Sequence, residues 1–242
     1  TGTGLGLITG DIATSTAGTS NFRAGVNAGN SIASGGTFNV AVGDEAGTAI
    51  TTGDQNTFVG YTAGDAITTA GNNTAIGSKA LSTDTLGSNS VAIGRAALNV
   101  QNFTSATDVY NVAVGYNAGA AVTTGISNTL IGGLTGDALT DADQNVAVGN
   151  AALGTDTLGS KSTAIGTNAL ADQNFTTATD TYNTAVGYNA GAATTTGTDN
   201  TLIGGLCGDA ITDGNTNTAV GSYSLTTNQR GDRNTAIGHE AL

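Results

Sequence analysis

The chain has 242 residues and a formal net charge of −12, from 18 acidic and six basic residues, with 38 Gly, one Cys, one His and no Pro, Met or Trp. Six cations scattered singly make no phosphate-binding stripe, which argues against nucleic acid as a partner. One His and one Cys cannot assemble a zinc site or a His-based triad, and no run of about 18 apolar residues exists to span a membrane.

Residues 1–38 are rich in Gly, Ser and Thr and hold one degenerate unit, Asn21-Phe22-Arg23-Ala24-Gly25. They read as a lead-in. The first residues carry neither a secretion signal nor an initiating Met, so a processed or truncated chain is expected.

From Asn39 to Leu242 a phrase of the form Asn/Ser-x-x-Ile/Val-Gly returns with its glycine at Gly43, Gly60, Gly77, Gly94, Gly115, Gly132, Gly149, Gly166, Gly187, Gly204, Gly221 and Gly238. The spacing is 17, 17, 17 and 21 residues, then the same again, which nests a 72-residue superrepeat over about 39–110, 111–182 and 183–242. Units this small cannot bury a core alone and must stack on their neighbours. Thirty-eight Gly, with Thr and Asn between the apolar residues, disfavour helix. The expected fold is all-β: a parallel β-roll or β-solenoid of 17-residue coils, about 4.8 Å per coil.

Columns counted from each glycine show what a coil is made of. One residue before it stands Val or Ile; two before stands Ala, replaced by Phe58, Leu130 and Leu202 at 72-residue intervals. Adjacent strand positions face opposite sides, so this strand is apolar on both faces. We expect the Val/Ile column inside and the column of Phe58, Leu130 and Leu202 outside, covered by further copies in a side-by-side homotrimer. Three residues after the glycine a small residue recurs; four after it stands Gly in the first two coils of each superrepeat and Leu in the last two. Where Leu is missing, an aliphatic follows three residues later, as Ile50, Ile67, Val122, Leu139 and Ile211. These two apolar segments per coil predict a two-layer roll.

The phrase Asn89-Ser90-Val91-Ala92-Ile93-Gly94 resembles the head repeat of YadA-like trimeric autotransporter adhesins. Asn183-Thr184-Ala185-Val186-Gly187-Tyr188-Asn189-Ala190-Gly191 and Asn234-Thr235-Ala236-Ile237-Gly238 are similar to repeats in tail fibre proteins of tailed bacteriophages, marine ones especially. The resemblance covers about 39–242. It implies a left-handed parallel roll, three chains side by side, a place on a virion or cell surface, other virion proteins as neighbours and a role in host attachment.

The four-residue excess of every fourth coil falls in 99–110 and 171–182, which share Gln-Asn-Phe-Thr and Ala-Thr-Asp-x-Tyr. These insertions are expected to bulge from one edge. Asn102, Phe103, Asp108, Tyr110, Asn174, Phe175, Asp180 and Tyr182 are the candidate contacts for a host-surface glycan or protein receptor, set against the plainer reading that the rings pack down. Asn102-Phe103-Thr104 is also a glycosylation sequon, usable only on a eukaryotic secretory route. Asp-rich turns at 136–143 and 208–213 suit turn capping better than calcium, which wants a denser loop. Cys207 fills a small-residue column and His239 a variable one, so no catalytic, metal or cofactor site is assigned, and no enzyme activity is expected. Thr runs such as Thr194-Thr195-Thr196 do not form a strict Thr-x-Thr ladder of the ice-binding kind. Leu242 stands where Leu98 and Leu170 lead into the insertions, so the native chain is expected to continue into a third one.

Overall fold

The computed structural model describes residues 16–242. The expected lead-in therefore lies partly outside the described residues, but its degenerate unit does not: Phe22–Ala24 is the first strand of the sheet and pairs in parallel with Val40–Val42. Thirteen three-residue strands follow one another in chain order in a single parallel sheet, one per coil. From Val40 on, successive strands are 17 residues apart except where 91 pairs with 112 and 163 with 184, and the first step, from Phe22 to Val40, is 18. At about 4.8 Å per strand, the stack is about 60 Å tall. No helix occurs among the described residues, so none is long and apolar enough to cross a membrane.

Among the described residues, the sheet is the only strand layer that runs the height of the solenoid. The second apolar segment of each coil, expected as another strand, is a turn instead, closed to the next coil by bonds such as Gly47 N to Ala63 O and Gly64 N to Ala80 O, both 2.9 Å. Left-handed residues make this possible: the second residue after the glycine and the residue before the strand's Asn have positive φ in coil after coil, as at Glu45 and Gln55.

The inside of the coil is the reverse of what apolarity alone suggests. Ala41, Phe58, Ala75, Ala92, Ala113, Leu130 and their counterparts up the stack are buried, whereas the Val/Ile column faces out, with Ile131 39% exposed. The cause is parity. Four residues before the glycine stands an Asn whose side chain must point inward, and two residues on the side chain points inward again. Inside, Asn39 N–H donates to Asn21 Oδ1 (2.9 Å) and Asn39 Nδ2 to the Gly53 carbonyl (2.8 Å); Asn56 repeats both bonds one coil later, at 3.0 Å each. This buried ladder ties each coil to the one before it and fixes which face is inner.

Volume is shared within each coil and with the coil before it. A Cβ on Gly47 or Gly64 would come within 2.9 and 2.6 Å of the Phe58 ring, and one on Gly119 or Gly136 within 2.7 and 2.8 Å of Leu130. The bulky strand residue thus stands where the turn offers glycine. Where the turn carries Leu81, Leu98, Leu153 or Leu170, the strand carries Ala75, Ala92, Ala147 or Ala164, all buried.

Candidate functional site

The two insertions are built into the stack and do not hang from it. Their residues Thr107–Asp108 and Thr179–Asp180 pair in parallel with Gly87–Ser88 and Gly159–Ser160 of the coil before, forming two small sheets beside the large one. Of the predicted contact residues, Phe103 and Phe175 are buried, 7% exposed each, which removes them from any contact surface. An aromatic ring gains more from burying its area than from standing in water. Asn102 and Asn174 are half-buried and accept from Thr85 Oγ1 (3.1 Å) and Thr157 Oγ1 (3.3 Å).

The remaining four stay exposed and come together in pairs. Asp108 accepts from Asn89 Nδ2 at 2.8 Å next to the exposed Tyr110. Asp180 accepts from Lys161 Nζ at 2.5 Å and from the Tyr182 hydroxyl at 3.2 Å, with the ammonium 5.3 Å from the Tyr182 ring centre. The hydrogen bond between them raises the Lys161 pKa and lowers that of Asp180, so both stay charged.

Beneath each insertion lies a buried polar cluster that the sequence reading did not single out. In ordinary coils the ladder Asn donates to a carbonyl 14 residues ahead, as Asn73 Nδ2 does to Gly87 O (2.9 Å). The insertion occupies that place for position 90, which is Ser, and Gln101 supplies the missing amide: its Nε2 donates to Ser90 Oγ (3.0 Å) and its Oε1 accepts from Asn111 Nδ2 (2.9 Å), so the ladder continues. The same Nε2 donates to Asp84 Oδ2 at 2.6 Å, while Asp84 Oδ1 accepts the N–H groups of Gly87 and Phe103 at 3.0 and 3.1 Å. Asp156, Ser162, Gln173 and Asn183 repeat the arrangement 72 residues on. The signal was present in the sequence as two Ser in a column of Asn, each followed 11 residues later by Gln.

Replacing that amide with an apolar group should therefore be costly. Gln101→Leu leaves a fully buried carboxylate oxygen without its donor and breaks the ladder, an expected loss of about 3–5 kcal/mol. Tyr110→Ser, on the exposed side of the same insertion, should change stability by less than about 0.5 kcal/mol. Urea unfolding of the two variants measures the difference.

A column of carboxylates makes stability depend on pH. Five residues after Gly60, Gly132 and Gly204 stand Asp65, Asp137 and Asp209, and burial pushes all three above the usual carboxylate range, with Glu45 adding repulsion at Asp65. A carboxyl whose folded pKa is raised contributes stability that is fully present below its unfolded pKa and lost as pH rises through the folded one. Replacing all three with Asn should thus raise the melting temperature at pH 7 and leave it unchanged at pH 3, as followed by circular dichroism.

Elsewhere polar and reactive groups serve the coil. Asp143 Oδ1 accepts Ile126 N–H (2.7 Å) and Asp141 Oδ1 accepts Thr124 Oγ1 (2.5 Å), which ties this turn to that of the coil before. Cys207 is buried against Ala219 O and Ser224 Oγ, each 3.1 Å from its sulfur, and burial raises its thiol pKa. Comparison of the chain with protein-family models, curated proteins and solved structures gives no match.

Proposed function

We propose that this chain is a shaft segment of a three-chain fibre, on a phage tail or related virion appendage, that takes part in host attachment. The observation that carries the reading is the outer face of the large sheet. Two rows run up it without a break, Thr or Val three residues before each glycine and Val or Ile one before, none of them buried. Counted with the positions flanking each strand, the face measures about 60 by 20 Å, some 1,200 Å², more than the roughly 800 Å² one partner contributes to a standard interface. An apolar face of that size marks an interface.

Parallel solenoids that cover this face from each other make a stiff rod, and the resemblance to tail fibre repeats gives the rod its place. Contact with a host-surface glycan or protein belongs to the appendage as a whole; within this segment it falls to the exposed carboxylates Asp108 and Asp180 on the inserted strands. The head of a bacterial trimeric adhesin would use the same rod. An ice- or glycan-binding solenoid would draw on the outward Thr row, but Val40, Val91, Val112 and Val146 interrupt that row and a continuous Val/Ile row lies beside it, which suits a protein cover better.

Antibody fragments raised against the chain, imaged on native particles, test the placement. Labelling along a slender appendage is the expected result. Labelling of a bacterial envelope would point to the adhesin, and labelling of neither would overturn the proposal.

A further inference from the structure

The outer face is nearly featureless along its length, and that creates a problem which the tyrosines solve. In the two outer rows every coil from Val40 onward carries Thr or Val and Val or Ile, so two chains slipped by one coil exchange Val114 for Ile131 and lose almost nothing. Register between strands is weakly specified wherever the faces are uniform. A closed three-chain ring needs every chain at the same height; a slip in one sense around the ring fails to close and climbs into an open filament.

Only two coils interrupt the uniformity at both ends of the strand. Tyr110 stands directly before Asn111 and Tyr116 directly after Gly115; Tyr182 and Tyr188 bracket the coil of Gly187 in the same way, and all four are about half exposed. Each ring stands two residues outside the three-residue strand, one at either end of the outward rows. The next coil up carries Ser127 and Gly133 at these positions, or Asp199 and Gly205. Cations from the coil below brace a ring at each level: Arg95 lies 5.6 Å from the Tyr116 ring centre and Lys161 5.3 Å from that of Tyr182. Four large side chains, two of them braced by a cation and all about half exposed, are suited to work against another chain.

We propose that these tyrosine pairs are register marks: a second copy of this chain lies on the outer face with its own Tyr110–Tyr116 and Tyr182–Tyr188 coils at the same height. This rests on the fibre reading. In register, rings meet rings at two levels four coils apart, about 19 Å. A slip of one or two coils sets them against small, amide or charged residues, a slip of three restores one ring pair alone, Tyr116 on Tyr61, and a slip of four keeps one level of the two.

Photo-crosslinking reads the register directly. A benzophenone amino acid in place of Ile131, in assemblies mixed from light and nitrogen-15-labelled chains, reports by mass spectrometry which partner residues it touches. In the otherwise native chain, crosslinks should fall between residues 114 and 148, the same coil and its two neighbours. With Tyr110→Ser, Tyr116→Ser, Tyr182→Ser and Tyr188→Ser together, the chain should still associate and the crosslinks should spread at least twofold in range. Identical ranges with and without the tyrosines would overturn the proposal, as would a wide range with them, an assembly with no interchain link from this face, or a folded but monomeric Ser variant. A native chain that sediments as a monomer would instead reject the fibre reading, and with it this one.

Discussion

Leu130→Asp should abolish folding, while Ile131→Asp, one residue later, should leave the coil stack folded and only dissociate it. Leu130 is fully buried between Gly119 and Gly136 and Ile131 is 39% exposed on the outer face. Removing a buried Leu costs about 2–5 kcal/mol and burying an unpaired carboxylate several more. Together these match the whole stability of an ordinary domain, about 5–15 kcal/mol. At Ile131 the charge reaches water and the loss within one chain should be about 1–2 kcal/mol. Its larger effect is on association, since three copies would set carboxylates against an apolar row. Circular dichroism melting paired with light scattering separates the two outcomes; equal melting temperatures would contradict the inner and outer assignment.

Gly132→Ala adds one methyl group and should cost about 2–6 kcal/mol. Its φ of 139° lies in a region that favours glycine, and an added Cβ would stand 2.4 Å from the Gly149 carbonyl oxygen of the next coil. Strain of this kind costs about 1–3 kcal/mol, and forcing the next coil's backbone aside a similar amount. Gly238→Ala isolates the first effect, because its φ is 124° but nothing lies within 4 Å of the added carbon. It should cost about 1–3 kcal/mol. Urea unfolding of both variants gives the two numbers, and equal losses would show that stacking of the glycine column does not matter.

Much of the solenoid was legible in the sequence because a strict period leaves few ways to stack. The recurring Val-Gly or Ile-Gly step located every strand of the large sheet from Val40–Val42 on, and even the worn unit at Asn21 to Gly25 joins it. Which face is inner was not read correctly. Val and Ile outrank Ala in apolarity, yet the interior here is narrow and half polar, set by an Asn ladder that pulls Ala, with an occasional Phe or Leu, to its own side. Both faces of this strand are apolar in sequence, so column hydrophobicity cannot rank them; the parity of the Asn could have.

The insertions were located correctly. Asp108, Tyr110, Asp180 and Tyr182 are exposed, while Phe103 and Phe175 turned inward. The buried cluster of Asp84, Ser90 and Gln101 was missed because polar residues in a Gly-rich stretch read as turn filler until their partners are in view. At the matching positions of the third superrepeat, 228 and 234, stands Asn in place of Asp and Ser. Asn234 carries the ladder on its own, with its N–H 3.0 Å and its Nδ2 2.9 Å from Asn217 Oδ1.

Sedimentation equilibrium of the purified chain at micromolar concentration tests most directly the proposal that the outward Val/Ile row is covered by further copies of the chain. A single species at about three times the chain's 23.4 kDa, reduced to one chain by Ile131→Asp without loss of the circular dichroism signal, is the predicted result. A folded native chain that sediments at 23.4 kDa would contradict it.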